Sequence, residues 1–252
     1  MRLDGAVALV TGGSSGIGAA AARALATAGV RPLIAGRDTG RLQSVAAETG
    51  GLALAADLAA AGGPAQLAEA ALRAAGPAGI DLLVNNAGIG WAGPIEQMTA
   101  EQAAGLIAVD LTAPVQLTRL LVPGMIARGR GHIVFVSSIA GATGVRGEAV
   151  YSAAKAGLGC FAESLADEIS GRGVGVSVIV PGVIDTPFFE RRGRPYDRRR
   201  PAPLPPERVA RALVTAVERD QRVVFVPRWM RFPAWLHGAL PGTYRRLAAR
   251  FG

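Results

Sequence analysis

The sequence predicts an α/β protein in which a doubly wound parallel sheet of about seven strands lies between two layers of helices. Short runs rich in Val, Ile and Leu alternate with longer helical segments along the chain. Strands of this composition are typical of parallel sheets that are buried on both faces. Half of the 252 residues are hydrophobic and 34 are glycine, so a large and closely packed core is available.

The predicted elements follow one another in strand–helix order from residue 6 onward. Strands are predicted at residues 6–10, 31–35, 52–56, 81–84, 132–136, 175–180 and 222–226. Helices are predicted at residues 16–28, 39–49, 64–75, 101–127, 150–169 and 206–219, with a bend at Pro114. Because there is no internal repeat or long linker, we expect residues 1–252 to form one domain with a core at 1–227.

The net charge of +8 comes from two segments of the chain and not from the whole surface. Residues 190–200 contain six arginines and two acids, whereas residues 228–252 contain five arginines and no acid. The rest of the chain is close to neutral and lacks a helix-turn-helix, zinc or RNP motif. We therefore expect no nucleic-acid partner, and we also expect no metal site.

Cysteine use and hydropathy suggest a cytoplasmic protein. Cys160 is the only cysteine, which excludes an internal disulfide and fits a reducing compartment. The first residues run directly into a predicted strand, so we expect no signal peptide. No stretch approaches the roughly 18 uninterrupted apolar residues of a membrane span, so we expect no transmembrane helix.

Tyr151 and Lys155 form the strongest chemical signal in the chain. They are four residues apart on a predicted helix, which places both side chains on one face. Lys155 is the only lysine among 27 basic residues, and arginine cannot tune a proton as lysine can. An ammonium near a phenol lowers the pKa of the phenol. The pair is therefore a candidate proton-transfer unit, with an exposed tyrosine over a solvated lysine as the alternative.

The turn after the first predicted strand is rich in glycine. Glycines permit a tight turn and let a pyrophosphate approach the N-terminus of a helix. The residues that would surround such a group are Gly12, Ser14, Ser15, Gly16, Ile17 and Gly18. A glycine turn without a ligand is the alternative, since such turns are frequent between strands and helices.

The next two predicted strands end in charged residues. Arg37 stands where an acid usually binds the ribose 2′-hydroxyl of NAD, so it would pair instead with a 2′-phosphate. It could also be one more surface arginine, and Asp38 beside it could face a 2′-hydroxyl. Asp57, followed by Leu58, could bind an adenine amino group, although an ordinary turn also favours aspartate there.

Three further predicted strands end in asparagine, serine or a Pro-Gly turn. The residues are Asn85, Asn86, Ala87 and Gly88, then Ser138, then Pro181, Gly182, Ile184 and Thr186. Paired amides can brace neighbouring strand ends and meet a ribose. Because ligands of such sheets bind beyond the carboxyl ends of the strands, we expect all these residues to face one crevice.

Together these residues resemble the short-chain dehydrogenase/reductase family over residues 6–226. The motifs that carry the resemblance are Thr11-Gly12-x-x-x-Gly16-x-Gly18, Asn85-Asn86-Ala87-Gly88, Ser138, Tyr151-x-x-x-Lys155 and Pro181-Gly182. The resemblance implies a Rossmann-type sheet, a nicotinamide cofactor and hydride exchange at a carbonyl or alcohol carbon. With Arg37, it predicts an NADP(H)-dependent oxidoreductase.

The resemblance also implies roles for individual side chains. Tyr151 would transfer a proton, Ser138 would hold the substrate oxygen, and Lys155 would bind the nicotinamide ribose and lower the pKa of Tyr151. Ile184 and Thr186 would meet the carboxamide of the cofactor. In such families, helices corresponding to residues 101–127 and 150–169 often pair subunits, so we expect a homodimer or homotetramer.

One position departs from the family pattern. Asp110 stands where the family usually has an asparagine that helps to hold a water near the lysine. A carboxylate can accept a hydrogen bond from that water but cannot donate one. Close to Lys155, it would also offset the positive charge that acts on Tyr151 and raise the pKa of Tyr151. We expect Asp110 to belong to the catalytic group and activity to persist.

The predicted substrate lining is mostly small or apolar. It comprises residues 90–92, residues 141–146 with the cation Arg146, and Phe188 and Phe189 in a substrate loop at 183–205. An apolar carbonyl or secondary alcohol fits this lining, with ordinary loop packing as the alternative for the phenylalanines. Other readings are a 3-oxoacyl reductase whose acidic carrier protein docks on residues 190–200, and a cofactor-binding regulatory protein with an idle site.

The C-terminal tail, residues 228–252, contains two of the three tryptophans beside its five arginines. Aromatic residues next to arginines are typical of a segment that lies on anionic lipid. A lid over the crevice, a subunit contact and docking on the core are the alternatives. Pro233 and Pro241 are expected to break the tail, so we expect at most a peripheral, salt-sensitive membrane contact.

Overall fold

The computed structural model describes residues 1–197 and 201–251, and at its centre lies a parallel sheet. Its strands are β1 (Val7–Thr11), β2 (Arg31–Gly36), β3 (Leu52–Ala55), β4 (Leu82–Asn85), β5 (Gly131–Val136), β6 (Val174–Pro181) and β7 (Val223–Val226). The helices are α1 (Gly16–Thr27), α2 (Thr39–Thr49), α3 (Gly63–Ala75), α4 (Ala100–Ile107), α5 (Ala113–Ala127), α6 (Ile139–Thr143), α7 (Ala149–Glu168), α8 (Phe188–Arg191), α9 (Pro206–Arg219), α10 (Arg231–Ala239) and α11 (Pro241–Phe251). The strand order β3-β2-β1-β4-β5-β6-β7, parallel throughout, confirms the predicted fold class.

Both faces of the sheet are covered by helices. Along β1, Val7 and Leu9 pack in the core beneath α3, α5 and α7, whereas Ala8 and Val10 pack beneath α1 and α9. The side chains alternate between the faces because a strand has a side-chain period of two residues. This burial on both sides explains why the strands read as continuous apolar runs in the sequence.

The direction of the strand order changes between β1 and β4, which opens a crevice beyond their carboxyl ends. Thr11 and Asn86 hold these two ends together. The Thr11 hydroxyl accepts from the N–H groups of Asn86 and Ala87, both at 3.0 Å, and donates to the Val84 carbonyl at 3.2 Å. The Asn86 amide donates to the Thr11 carbonyl at 2.9 Å. Asn86 therefore provides the bracing expected of the asparagine pair.

The predicted helix at 101–127 changes its pitch near the middle. A capping box formed by Thr99 and Gln102 begins α4, and Ala108–Thr112 then form one π-helical turn before α5. This wide turn directly precedes Pro114, which has no N–H to donate within the helix. The irregularity expected at Pro114 therefore lies in the preceding turn, where it buries Asp110.

Among the residues that the structure describes, one helical stretch, Ala100–Ala127, is long and apolar enough to cross a membrane, judged by length and composition alone. Its side chains Leu117, Leu121 and Met125 are buried in the core beside the sheet. In this fold the stretch therefore serves as a core helix.

The tail forms two short helices, α10 and α11, which the sequence did not predict. Pro233 lies in the first turn of α10, where a helix needs no N–H donor, so the expected break at Pro233 is wrong. Pro241 does end the run and begins α11. The tail lies on the core: α10 packs beside α6, and Met230 is buried against Gly182.

His132 is a buried titratable residue at the start of β5, away from the crevice. Its Nε2 lies 2.8 Å from Ser177 Oγ, which donates to the Gln221 carbonyl at 2.6 Å. Because the serine proton is used by Gln221, Nε2 carries the proton of the neutral ring. Burial lowers the pKa of His132 to about 4, although the charge of Asp220 opposes this shift.

The low pKa of His132 predicts a loss of stability in mild acid. His132 takes up a proton near pH 6.5 in the unfolded chain but only near pH 4 in the folded chain. The contribution of neutral His132 to the free energy of unfolding is therefore complete above about pH 6.5. It should fall by about 3 kcal/mol as the pH drops to 4. Urea unfolding of the wild type and His132→Gln between pH 7 and 4 measures it. Parallel stability curves for the two proteins would contradict the assignment.

Candidate active site

The crevice beyond β1 and β4 is a groove of about 2090 Å³ that runs from the end of β2 to the loop after β6. It is lined by most of the residues that the sequence singled out. These are Gly12, Ser14, Ser15, Gly16, Ile17, Arg37, Asp57, Leu58, Asn86, Ala87, Gly88, Ser138, Tyr151, Lys155, Pro181, Gly182, Ile184 and Thr186. One groove thus joins the glycine turn, the charged end of β2 and the helix that carries Tyr151.

Two residues of the expected set lie behind the groove. An added Cβ at Gly18 would lie 2.3 Å from the Gly12 carbonyl oxygen, so Gly18 allows α1 to pack against the turn. The side chain of Asp110 is 0% exposed. In this structure Gly18 serves the packing of α1, and Asp110 contacts Lys155 and the Ile89 backbone and not the groove itself.

The glycine turn leaves a concave backbone that side chains would fill. Gly12 and Gly16 have φ angles of 65° and 53°, which favour glycine. A Cβ at Gly12 would lie 2.8 Å from Ala87 Cα, and a Cβ at Gly16 would lie 2.9 Å from Thr186 Cγ2. Ser15, the N-cap of α1, makes no side-chain capping bond. This helix N-terminus therefore fits the pyrophosphate of a dinucleotide, because the helix dipole favours negative charge there.

The end of the groove near β2 carries two arginines. Arg37 is exposed and, among the residues that the structure describes, makes no ion pair or hydrogen bond. Asp38, the residue expected to compete with it, is already used: it accepts from the Arg41 N–H at 3.0 Å and pairs with the Arg41 guanidinium at 3.3 Å. Asp57 accepts from the Ala59 N–H at 3.0 Å. Arg37 is thus the cation free to bind a 2′-phosphate, with Arg41 nearby.

Tyr151 is buried at the base of the groove, with 8% of its surface exposed. The Ser138 hydroxyl lies close enough to the phenol to act on the pKa of Tyr151, and the same hydroxyl accepts from the Ala140 N–H at 3.1 Å and so begins α6. The ring of Phe188 packs on the Tyr151 ring with 5.4 Å between centroids. The hydroxyls of Ser138 and Tyr151 can together donate hydrogen bonds to one carbonyl oxygen.

Lys155 is buried behind Tyr151 and is enclosed by oxygens. Its ammonium donates to the Val136 carbonyl at 3.1 Å and lies 3.3 Å from Asp110 Oδ2. The Lys155 ammonium is not aligned to donate a hydrogen bond to this oxygen. Asp110 Oδ2 therefore has no hydrogen-bond partner among the described residues. Asp110 Oδ1 accepts from the Ile89 N–H at 2.8 Å. The π-helical turn thus places a carboxylate beside the one lysine.

The charges around Tyr151 act against its ionisation. Burial raises the pKa of Tyr151 above its ordinary value, and the negative charge of Asp110 raises it further, while the Ser138 side chain opposes this. Asp110 thus shifts the pKa of Tyr151 in the expected direction, and Lys155 is not among the causes of the shift in this structure. Burial likewise raises the pKa of Asp110, against the charge of Lys155.

The substrate end of the groove differs in part from expectation. Gly90, Trp91, Ala92, Thr143, Gly144, Val145, Arg146, Phe188 and Phe189 line it as predicted. Gly141 and Ala142 do not, because α6 packs tightly on α7 there: a Cβ at Gly141 would lie 2.6 Å from the Lys155 carbonyl carbon. Within the predicted loop 183–205, Arg198, Arg199 and Arg200 lie outside the described residues.

A segment at residues 188–192 lines the groove and makes contacts that the sequence did not predict. Arg192 pairs with Glu148, and these side chains are only 10% and 12% exposed. Arg191 donates to Ser15 Oγ at 3.3 Å. The segment thus joins the glycine turn to the start of α7. Only Phe188 and Phe189 signalled it in the sequence, because Arg191 and Arg192 are two of six arginines within residues 190–200.

Comparison with known proteins gives the same family throughout. The family described as short chain dehydrogenase matches residues 6–197. The ketoacyl reductase HetN of Nostoc sp. is 36% identical over 234 residues, which cover 89% of this chain and 79% of that protein. The 3-oxoacyl-[acyl-carrier-protein] reductase FabG of Vibrio cholerae is 36% identical over 190 residues, which cover 74% of this chain and 76% of that protein.

Solved structures agree with these relatives. A short-chain dehydrogenase from Sphingobium yanoikuyae in complex with NADPH has a TM-score of 0.82 at 29% identity, covering 94% of this chain and 95% of that one. A short-chain dehydrogenase/reductase from Burkholderia phymatum in complex with NAD has a TM-score of 0.85 at 25% identity, covering 94% of each chain. Similar folds therefore bind either nicotinamide cofactor.

The buried pair of Lys155 and Asp110 predicts a non-additive effect on stability. Lys155→Met should cost about 3–5 kcal/mol, because it leaves the carboxylate buried without a cation. Adding Asp110→Asn should recover about 2 kcal/mol of this loss, since the unpaired charge is then removed. Urea unfolding of both single variants and the double variant measures the coupling. The exposed pair Arg73 and Glu69 is the matched control and should show little coupling. Additive losses at residues 110 and 155 would contradict the ion pair.

Proposed function

The chain belongs to the short-chain dehydrogenase/reductase family, and we propose that it uses NADP(H) to interconvert a carbonyl and a secondary alcohol on an apolar small molecule. The observation that carries this proposal is that one groove contains Ser138, Tyr151 and Lys155 together with the glycine turn. Because Ser138, Tyr151 and Lys155 are all present, the site argues against a regulatory protein that binds the cofactor without catalysis.

The proton chemistry follows from the geometry of these side chains. When bound, the cofactor supplies or accepts a hydride. In reduction, the hydroxyls of Ser138 and Tyr151 bind the carbonyl oxygen, and the Tyr151 phenol donates its proton as negative charge develops there. The Lys155 ammonium then stabilises the phenolate that remains. The phenol is protonated at neutral pH, which is the form that reduction requires, and the raised pKa of Tyr151 keeps it in this form at more alkaline pH.

We assign the cofactor contacts along the groove from its lining. The turn from Gly12 to Ile17 would hold the pyrophosphate, and Asp57 with Leu58 would border the adenine. Asn86, Ala87 and Gly88, with Tyr151 and Lys155, would border the ribose of the nicotinamide. Pro181, Gly182, Ile184 and Thr186 would border its carboxamide. Arg37 would bind the 2′-phosphate and favour NADP(H), since Asp38 caps α2.

The substrate end favours an apolar molecule. Trp91, Val145, Phe188 and Phe189 line it, and Arg146 lies at the same end. A 3-oxoacyl group on a carrier protein is the second candidate, because HetN and FabG are named as reductases of ketoacyl and 3-oxoacyl substrates. In that case Arg146, Arg191 and Arg194 at the groove would meet the acidic carrier. Turnover with and without carrier protein separates the two.

We further propose that residues 1–252 act as one cytoplasmic domain and assemble as a homodimer or homotetramer. Subunits would pair through the apolar helices α4, α5 and α7. Mass measurement in solution by light scattering tests the assembly.

Tyr151→Phe tests the proposed chemistry. It keeps the ring that packs on Phe188 and removes only the proton donor. NADPH-dependent turnover on a panel of ketones should fall at least about 100-fold, while NADPH affinity measured by fluorescence stays near that of the wild type. Undiminished turnover in this variant would refute the role of Tyr151. No turnover by the wild type on any carbonyl, with NADPH bound, would favour a regulatory protein.

Arg37→Gln tests the cofactor preference. Losing a charge-assisted bond to the 2′-phosphate should weaken NADPH binding about 10- to 100-fold and leave NADH binding unchanged. Calorimetry with both cofactors measures the change. Arg23→Gln, which removes an exposed arginine paired with Glu48, is the control and should alter neither affinity. Tighter binding of NADH than NADPH by the wild type would overturn the preference.

A further inference from the structure

The tail turns one face to the groove and another to solvent. Trp229, Met230 and Pro233 line the groove, and so do Tyr244 and Ala248 of α11. The contact between the rings of His237 and Tyr244, with centroids 5.1 Å apart, joins α10 to α11. The tail is therefore a wall of the groove as well as part of the outer surface.

The outer face of the tail exposes large aromatic side chains. Trp229, Phe232 and Trp235 are 57%, 62% and 61% exposed. The rings of Phe232 and Trp235 lie together, with 6.1 Å between centroids. Leu240 and Leu247 are also exposed, at 53% and 44%. A cluster of this kind usually marks a surface that binds something, because single exposed apolar residues are common but clusters are not.

The tail is also positively charged. Arg228, Arg231, Arg245 and Arg246 are exposed, and the sequence from 228 to 252 contains no acid. In the part of the chain that the structure describes, none of these four arginines forms a salt bridge. We call these arginines, with Trp229, Phe232, Trp235 and Leu240, the tail surface.

We infer that the tail surface docks the protein on an anionic lipid bilayer and so opens the substrate end of the groove to the membrane. Tryptophan and phenylalanine lie well at the level of lipid headgroups, and arginines beside them pair with lipid phosphates. A second copy of this chain fits less well, because two copies of the same surface would bring arginines against arginines.

Docking has a consequence for the substrate, and this part rests on the proposed function. Trp229 belongs both to the tail surface and to the groove. An apolar ketone dissolved in the bilayer would therefore reach Tyr151 beside the tail without crossing bulk water. The predicted substrate class is a carbonyl compound that partitions into lipid.

Sedimentation with vesicles tests the docking without using activity. The full chain should sediment with vesicles of phosphatidylglycerol and phosphatidylcholine in equal amounts, and not with pure phosphatidylcholine. Raising the salt to about 1 M shortens the Debye length to about 3 Å and should release the protein. Each exposed arginine changed to glutamine should weaken binding about fivefold.

The variant Phe232→Ser/Trp235→Ser removes two exposed rings that do not line the groove. It should weaken vesicle binding about tenfold and leave turnover of a short, water-soluble ketone unchanged. Turnover of a long-chain ketone dissolved in the anionic vesicles should fall with the binding. Leu52→Ser/Leu72→Ser, which removes two exposed leucines remote from the tail, is the matched control and should bind as the wild type does.

Several results would overturn the inference. One is a wild-type protein that does not sediment with anionic vesicles; another is a Phe232/Trp235 variant that sediments equally well. A fall in the solution mass of that variant would show instead that a second copy covers the surface. Sedimentation without turnover of any carbonyl would refute the proposed function and the substrate route, and would leave the docking itself standing.

Discussion

A single buried ammonium connects the parts of the site. The Lys155 side chain reaches from α7 to the end of β5 and to the π-helical turn, through the Val136 carbonyl and the Asp110 carboxylate. Burying a charge is costly unless opposite charges and polar groups surround it. These contacts therefore fix how α7 lies on the sheet, and with it where Tyr151 meets Ser138. The π-helical turn is needed because it aims Asp110 inward at this point.

The carboxylate changes what the lysine does for the tyrosine. An isolated ammonium would draw the phenol toward its ionised form, but here a negative charge lies beside it and the ring is buried. The pKa of Tyr151 is raised as a result. Asp110 thus compensates the charge of Lys155 and leaves the phenol protonated, while its other oxygen holds the backbone of Ile89. Aspartate at position 110, where the family usually has asparagine, therefore affects both the packing around Lys155 and the protonation of Tyr151.

The sequence predicted the sheet and the line of the groove because both depend on local patterns. Apolar runs marked the strands, and glycines, asparagines and the Tyr151–Lys155 spacing marked the strand ends. The contacts of the segment at 188–192 could not be predicted, because those with Ser15 and Glu148 join residues 176 and 44 positions apart. The effect of burial on the pKa of Tyr151 also escaped prediction, since burial is a tertiary property, whereas the effect of Asp110 was expected from its position. Gly18 shows that a packing glycine and a ligand-binding glycine look alike in sequence.

The choice of arginine over lysine has a chemical consequence for the whole surface. The only lysine is 4% exposed, so every outward-facing cationic side chain apart from histidine is a guanidinium. Guanidinium groups keep their charge across the physiological range and do not undergo the acylation that neutralises lysine amines. The positive potential of the tail and of the groove rim is therefore permanent. Reagents that modify amines have one side-chain target in this protein, and it lies beneath Tyr151, where α7 and the sheet enclose it.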